Sequence, residues 1–162
     1  MATSVTELGK YVAADLAVCH GQLTFRDTRV PVDEVLKEVA AGKDWDSITR
    51  STHGRVCHEA IAEAVQLATA ALLEANPKNR GAEIRELGEY VIAHPLICHG
   101  ALTIRGSRVF VLMILQMVAD GMPLKEVASQ WRRSTVTLDA VAEAVQLARQ
   151  ALLKKEPALT AV

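Results

Sequence analysis

Two short stretches of this chain carry residue types from which binding sites are usually built. Residues 19–30 read CHGQLTFRDTRV and residues 98–109 read CHGALTIRGSRV, so each has a Cys-His pair followed by two arginines around a tight turn. Guanidinium groups on a turn can bind phosphate or carboxylate, often through two parallel hydrogen bonds. In the alternative interpretation, each arginine pairs with an acidic residue of its own fold. The four candidate anion-binding residues are Arg26, Arg29, Arg105 and Arg108.

A second set of basic residues lies in the loops before the predicted third helices. Solvated loop charge is the default interpretation of such residues, and a phosphate contact is the alternative. With the turn arginines they complete the candidate nucleic-acid-binding set. They are Arg50, Arg55, Arg132 and Arg133.

The two Cys-His pairs could supply four zinc ligands only if the fold brought them together. Zinc ligands are normally spaced by two or more residues, and adjacent side chains on an extended strand point to opposite faces. We therefore expect no metal site and no other cofactor. No Ser-His-Asp set, phosphate-binding glycine loop or carboxylate pair stands at a diagnostic spacing, so the sequence does not indicate an enzyme.

Composition limits the partners that the whole chain could attract. The 162 residues are 50% hydrophobic and 23% charged, with a formal net charge of −1. No global field therefore draws the chain to nucleic acid or an anionic membrane. The longest apolar run, Val109 to Leu115, is far short of a bilayer span, and three cysteines do not make a disulfide framework. We expect a folded, cytoplasmic protein.

The chain consists of two tandem copies of one unit. AEAVQLA occupies residues 62–68 and recurs at 142–148, an offset of 80, whereas the Cys-His stretches are 79 apart, so the second copy has one inserted residue. Two linked copies are usually related by an approximate two-fold axis, as in a fused dimer. The predicted organisation is a first unit at 1–75, a linker at 76–82, a second unit at 83–156 and a tail at 157–162.

Periodicity predicts a small β-hairpin followed by three helices in each unit, a mainly α fold. Leu102 and Ile104 alternate with polar residues, a turn follows, and Val109 and Val111 alternate again. A first helix starts near Pro31 and stops near Gly42. The later helices are expected at about Asp44–Arg50, His58–Glu74, Pro123–Trp131 and Leu138–Lys155.

The sequence of the predicted hairpin resembles that of domain-of-unknown-function family 433. The family's pattern is an Ile-Cys-Gly-Gly-like start, an Ile-Arg-Gly-Thr-Arg-Ile-Pro-Val core and an apolar helix ending in Gly. The second unit matches it at Ile97, Cys98, Gly100, Ile104, Arg105, Gly106, Ser107, Arg108, Val109 and Val111. The first unit matches it at Val18, Cys19, Gly21, Arg26, Thr28, Arg29, Val30, Pro31 and Val32.

This resemblance implies a helix-turn-helix fold and a neighbourhood of functions that, for some members, includes antitoxins of the VapB type that pair with a nuclease toxin, and it implies no enzyme reaction. The sequence departs from the pattern at His20, His99 and Phe110. Its third helices also begin with acidic residues, where a recognition helix usually carries hydrogen-bond donors, and this weakens direct base reading. Those residues are Glu59, Glu63, Asp139 and Glu143.

The first helices of the two units differ most. Asp33, Glu34 and Glu38 of the first unit are replaced by apolar residues that lie outside the buried stripe of the second helix. This second face must pack inside the protein or contact another chain, and a second copy would give a closed homodimer. The candidate partner-binding residues are Phe110, Leu112, Met113 and Met117.

Two hypotheses from different classes follow. The first is a non-enzymatic, antitoxin-like or regulatory helix-turn-helix protein that binds a protein partner, with DNA as a second target. The rival is a scaffolding interaction module that has lost DNA binding. The duplication favours the first because two half-sites suit two-fold DNA, whereas the near-zero net charge favours the second.

Overall fold

The computed structural model describes residues 5–15, 17, 21–131 and 135–155. The first unit contains β1 (Val5–Glu7), β2 (Val12–Asp15), β3 (Leu23–Phe25), α1 (Val32–Ala40), α2 (Trp45–Ser51) and α3 (His58–Ala75). The second repeats this order as β4 (Arg85–Glu86), β5 (Val91–Ala93), β6 (Leu102–Ile104), α4 (Val111–Ala119), α5 (Leu124–Ser129) and α6 (Leu138–Leu153), with a 3-10 turn at Cys98–Gly100. Helices make up roughly 48% of the described residues beside two small sheets, so the expectation of a mainly helical fold holds only in part.

Each unit has a three-stranded antiparallel sheet, ordered β1-β2-β3 and β4-β5-β6, rather than the predicted hairpin. The strand before the turn pairs with the segment that follows the repeated Leu-Gly lead-in: Val91 faces Ile104 and Val12 faces Phe25. After the turn the chain makes a single bridge, Thr103 with Phe110 in the second unit, and the helix begins at the next residue. No length remains for a second hairpin strand, so the hairpin prediction was wrong.

Successive residues of each strand point to opposite faces of the sheet, as the period of two requires, although β3, β5 and β6 are buried throughout. In the first sheet Val12 and Leu23 join the hydrophobic core. Between them in the pleat, Ala13 and Thr24 lie on the opposite face and line a surface cleft. The alternation that the sequence showed is therefore real, but it belongs to a wider sheet.

The helices begin and end within about two residues of the predicted positions. Two of them are fixed by side-chain caps: the Asp44 carboxylate accepts from the Ser47 N–H at 2.9 Å, and the Thr137 hydroxyl accepts from the Ala140 N–H at 3.2 Å. Among the described residues, no helix combines the length and the apolar character that crossing a bilayer would require.

The long helices α3 and α6 pack against each other more extensively than any other pair of elements. Both AEAVQLA segments carry buried small residues, Ala64 and Ala68 in α3 and Ala144 and Ala148 in α6, and small residues allow close helix approach. The first helix of each unit then packs on the long helix of the other, α1 on α6 and α4 on α3. One continuous hydrophobic core therefore runs through both units.

Candidate functional site

The turn after β3 and the turn after β6 have the same backbone shape. Asp27 has a φ of 62° and the matching Gly106 a φ of 77°, so both lie in the left-handed region. The Arg26 N–H donates to the Tyr11 carbonyl and the Arg105 N–H to the Tyr90 carbonyl, each at 2.6 Å. These bonds fasten each turn to the neighbouring strand.

Arg26 and Arg105 use their side chains within their own units. Arg26 forms an ion pair with Glu7 at 3.0 Å and donates to the Gly9 carbonyl at 3.0 Å. Arg105 does the same with Glu86 at 3.0 Å, and its Nε donates to a backbone carbonyl at 2.9 Å. For these two arginines the structure agrees with the interpretation in which they hold the turn.

Arg29 and Arg108 lie at the other end of the same two turns, and both are exposed. Cys98 and His99 do not lie on an extended strand, as the zinc argument assumed; they form a 3-10 turn with φ of 50° and 56°. The Cys98 thiol donates to the Arg108 carbonyl at 3.5 Å, which ties this turn to the arginine turn. The first Cys-His pair, residues 19 and 20, falls outside the described residues.

The loop arginines divide into three cases. Arg50 is exposed and donates to the Ser47 hydroxyl at 3.1 Å within α2. Arg55 is exposed and lines a cleft together with Arg26 and Arg29, so the fold does bring these three predicted residues together. The remaining two predicted positions, Arg132 and Arg133, lie outside the described residues.

The apolar face of α4 is exposed at its start and covered towards its end. Phe110 is 37% exposed, Leu112 is 36% exposed and Met113 is 43% exposed. Met117 is half-buried and packs against the core. Part of the predicted face is therefore internal, and three side chains remain at the surface.

Sequence reasoning missed the role of the repeated glutamates. Glu63 accepts from the backbone N–H groups of Lys10 at 3.1 Å, Tyr11 at 2.8 Å and Val12 at 3.1 Å. A Cβ on Gly9 would lie 2.2 Å from its Oε1, so only glycine leaves room for the carboxylate. We call this arrangement the glutamate lock.

The second unit has the same glutamate lock. Glu143 accepts from the N–H groups of Glu89, Tyr90 and Val91 at 2.8 to 3.1 Å, and Gly88 leaves room for the carboxylate. Two of the four acidic residues that appeared to oppose base reading are thus engaged internally. The signal was present in the sequence, because LGKYV and LGEYV recur together with AEAVQLA.

The other two acidic residues of the third helices, Glu59 and Asp139, are exposed. The pKa of Glu59 is lowered because its own backbone N–H and the Cys57 side chain donate to the carboxylate. Glu59 is therefore ionised at neutral pH and keeps negative charge at the start of α3.

Of the two ion pairs that join the units among the described residues, the more buried one has no counterpart at the matching positions of the repeat. Arg149 of α6 bonds Asp33 of α1, and both side chains are about 15% exposed or less. The repeat places Leu112 where Asp33 stands and Thr69 where Arg149 stands. The two halves therefore share a backbone plan and differ in the chemistry of this contact.

Comparison with curated proteins and with solved structures found no significant match. A family model described as Protein of unknown function (DUF433) matches the chain twice, at residues 12–68 and at residues 91–148. The first match runs from β2 into α3 and the second from β5 into α6, so each covers nearly all of one structural unit. Because the two matches cover more than half of the chain, this protein belongs to the DUF433 family as a tandem of two family units.

Proposed function

We propose that this chain is a non-enzymatic, antitoxin-like or regulatory protein of helix-turn-helix type that binds a protein partner through the start of α4. The observation that supports it is the exposure of Phe110, Leu112 and Met113. The first unit has Pro31, Asp33 and Glu34 at these positions, so a shared folding requirement does not explain the apolar residues.

The exposed area of Phe110, Leu112 and Met113 limits the kind of partner that they can bind. Taking about 200 Å² for each fully exposed side chain, the three residues leave on the order of 200 Å² at the surface. A stable dimer buries roughly 600 Å² or more from each copy, so these residues alone do not make one. They suit the central anchor for a short amphipathic segment of another protein, such as a nuclease-type toxin, and a homodimer is the alternative occupant.

The experiment is a binding measurement with the product of the neighbouring reading frame, by co-expression and calorimetry. The double variant Leu112→Asp, Met113→Asp should weaken binding at least a hundredfold, because it places two carboxylates in a desolvated contact. Gln66→Asp, on the exposed surface of α3, is the control for added charge. Equal binding by the variant and the control would refute this use of α4.

Light scattering distinguishes a homodimer of this chain from binding of a different protein. If the unmodified chain is a dimer that the double variant converts to a folded monomer, the occupant is a second copy. An approximate two-fold relation between the two units also belongs to this proposal. It is supported by the reciprocal packing of α1 on α6 and α4 on α3.

DNA contact is the second candidate function, and the glutamate lock is the observation in its favour. Because Glu63 and Glu143 bond to backbone N–H groups of their own units, fewer free carboxylates face outward from α3 and α6 than the sequence suggested. The exposed Arg29 and Arg108 then become the best phosphate contacts. A mobility-shift titration against the gene's upstream region at two salt concentrations tests this.

Replacing Arg29 and Arg108 by Ala should reduce the salt slope by about 1.8 if both contact phosphate. Arg26→Ala should act through stability instead, because that side chain bonds Glu7 and the Gly9 carbonyl. No shift at low salt with the unmodified chain would rule out this second function.

A further inference from the structure

A cleft of about 750 Å³ lies against the outer face of the first sheet. Its floor includes Ala13 and Thr24, and its walls include the turn arginines Arg26 and Arg29 and the loop residue Arg55. This volume is within the range of small-molecule sites in proteins. The cleft is therefore large enough for a metabolite.

The repeat provides an internal comparison for this cleft. The second unit has Ile92 where the first has Ala13, so the small floor residue becomes a large one. It also has Thr135 where the first has Arg55, and the Thr135 hydroxyl donates to the Arg105 carbonyl. In the second unit the loop thus bonds to the turn, whereas in the first the corresponding residue is a cation that lines the cleft.

The charges around the cleft define the ligand that would fit. Three arginines and three carboxylates line it, so the walls carry no net charge. Glu7 is already paired with Arg26, and Asp15 accepts from the Ala17 N–H at 2.8 Å. Arg29 and Arg55 are both exposed at the cleft, so their guanidinium groups can donate to an anion, while Asp15 and Asp27 can accept hydrogen bonds from neutral donor groups.

We propose that this cleft binds a small phosphorylated molecule that also carries hydroxyl or amino donors, of the nucleoside phosphate class. The phosphate lies between Arg29 and Arg55, and the donor groups face the carboxylates. The apolar floor at Ala13 accepts a ring or a carbon chain. This site is separate from the α4 surface and does not depend on the function proposed for it.

Calorimetric titration of the full chain with AMP tests the proposal, with inorganic phosphate and a short DNA duplex as parallel probes. We expect saturable AMP binding and a rise in melting temperature, because a ligand that binds only the folded state stabilises it. Arg55→Thr should weaken AMP binding about tenfold or more, because it removes a charge-assisted hydrogen bond. Arg50→Thr is the matched control and should bind AMP normally, since Arg50 does not line the cleft.

Ala13→Ile is a second variant that fills the cleft with the residue that the other unit already accommodates. It should abolish AMP binding while leaving the melting temperature of the free protein within a few degrees. Absence of saturable binding up to about 10 mM AMP, ten times a weak Kd of about 1 mM, would overturn the proposal. So would binding that neither cleft variant changes, or duplex binding that depends on Arg55 with no binding of AMP.

Discussion

Adding one methyl group at Gly9 should release the glutamate lock of the first unit. A Cβ there would lie 2.2 Å from Oε1 of Glu63, so the carboxylate must move away from the three N–H groups that it accepts. Gly9 is not among the glycines of positive φ, so Ala fits the backbone itself. Gly9→Ala therefore acts through the carboxylate alone.

The expected size follows from the number of bonds. Taking about 1 kcal/mol for each of three partly exposed bonds to a charged group, Glu63→Ala should lower the free energy of unfolding by about 3 kcal/mol. Gly9→Ala should cost about 2 kcal/mol, because the displaced carboxylate retains part of its bonding. With a urea slope of about 2 kcal/mol per molar, the Glu63→Ala transition midpoint falls by about 1.5 M.

The double variant provides the decisive measurement. Once residue 63 is alanine, the clash at Gly9 is gone, and Gly9→Ala should stabilise by about 0.5 kcal/mol through the unfolded state. Urea unfolding followed by circular dichroism on the wild type, both single variants and the double variant gives the coupling, which should exceed about 2 kcal/mol. Gly88 and Glu143 repeat the geometry and should repeat the result. Additive costs in both units would refute the glutamate lock.

Three further predictions concern stability. Arg149→Met should lower the free energy of unfolding in urea by about 1 kcal/mol, because Asp33 then keeps only the more exposed Lys37, 3.4 Å from its carboxylate; an equal loss when salt is added to the wild type would contradict a shielded pair. Arg105→Ala should lower the free energy of unfolding by about 1 kcal/mol and Arg108→Ala by close to nothing, since only the Arg105 side chain bonds Glu86 and a backbone carbonyl; equal melting temperatures of the two variants would show that the Arg105 side chain does not stabilise the turn. The Ser47 backbone N–H and hydroxyl lower the pKa of Asp44, so its cap contributes stability above the unfolded pKa and loses it as pH falls through the lower folded pKa; melting curves at about pH 7 and pH 3 should show a smaller acid-induced loss for Asp44→Asn than for wild type.

Sequence patterns predicted the helices well because their signals are local. A period of 3.6 and a stop at Gly42 are properties of consecutive residues, and α3 begins at His58 as expected. The hairpin prediction failed because strand pairing is not local: the partner of β6 lies upstream, around Val91. A turn flanked by alternating residues indicates that a strand is present, and says little about which strand it pairs with.

The candidate site was predicted in part for the same reason. The turn arginines were identifiable by type, but only the contacts of Arg26 with Glu7 and Gly9 separate its role from that of Arg29. The glutamate lock joins residues more than fifty positions apart, so no single window of sequence contains it. In the sequence it shows only as the recurrence of two separate segments, LGKYV/LGEYV and AEAVQLA. That recurrence can be explained only when the structure shows that the two segments are in contact.

The one-sided ion pair between Asp33 and Arg149 has a consequence for how this chain could diverge. Two identical single-unit chains in a symmetric assembly would have to carry that pair twice or not at all, since any substitution appears in both subunits. Covalent linkage of the copies in one gene removes this constraint: Leu112 and Thr69 can stand at the matching positions while the other side keeps its charges. Each half can then change on its own under selection, so one gene can maintain exposed apolar side chains on one half and a cleft lined by arginines and carboxylates on the other.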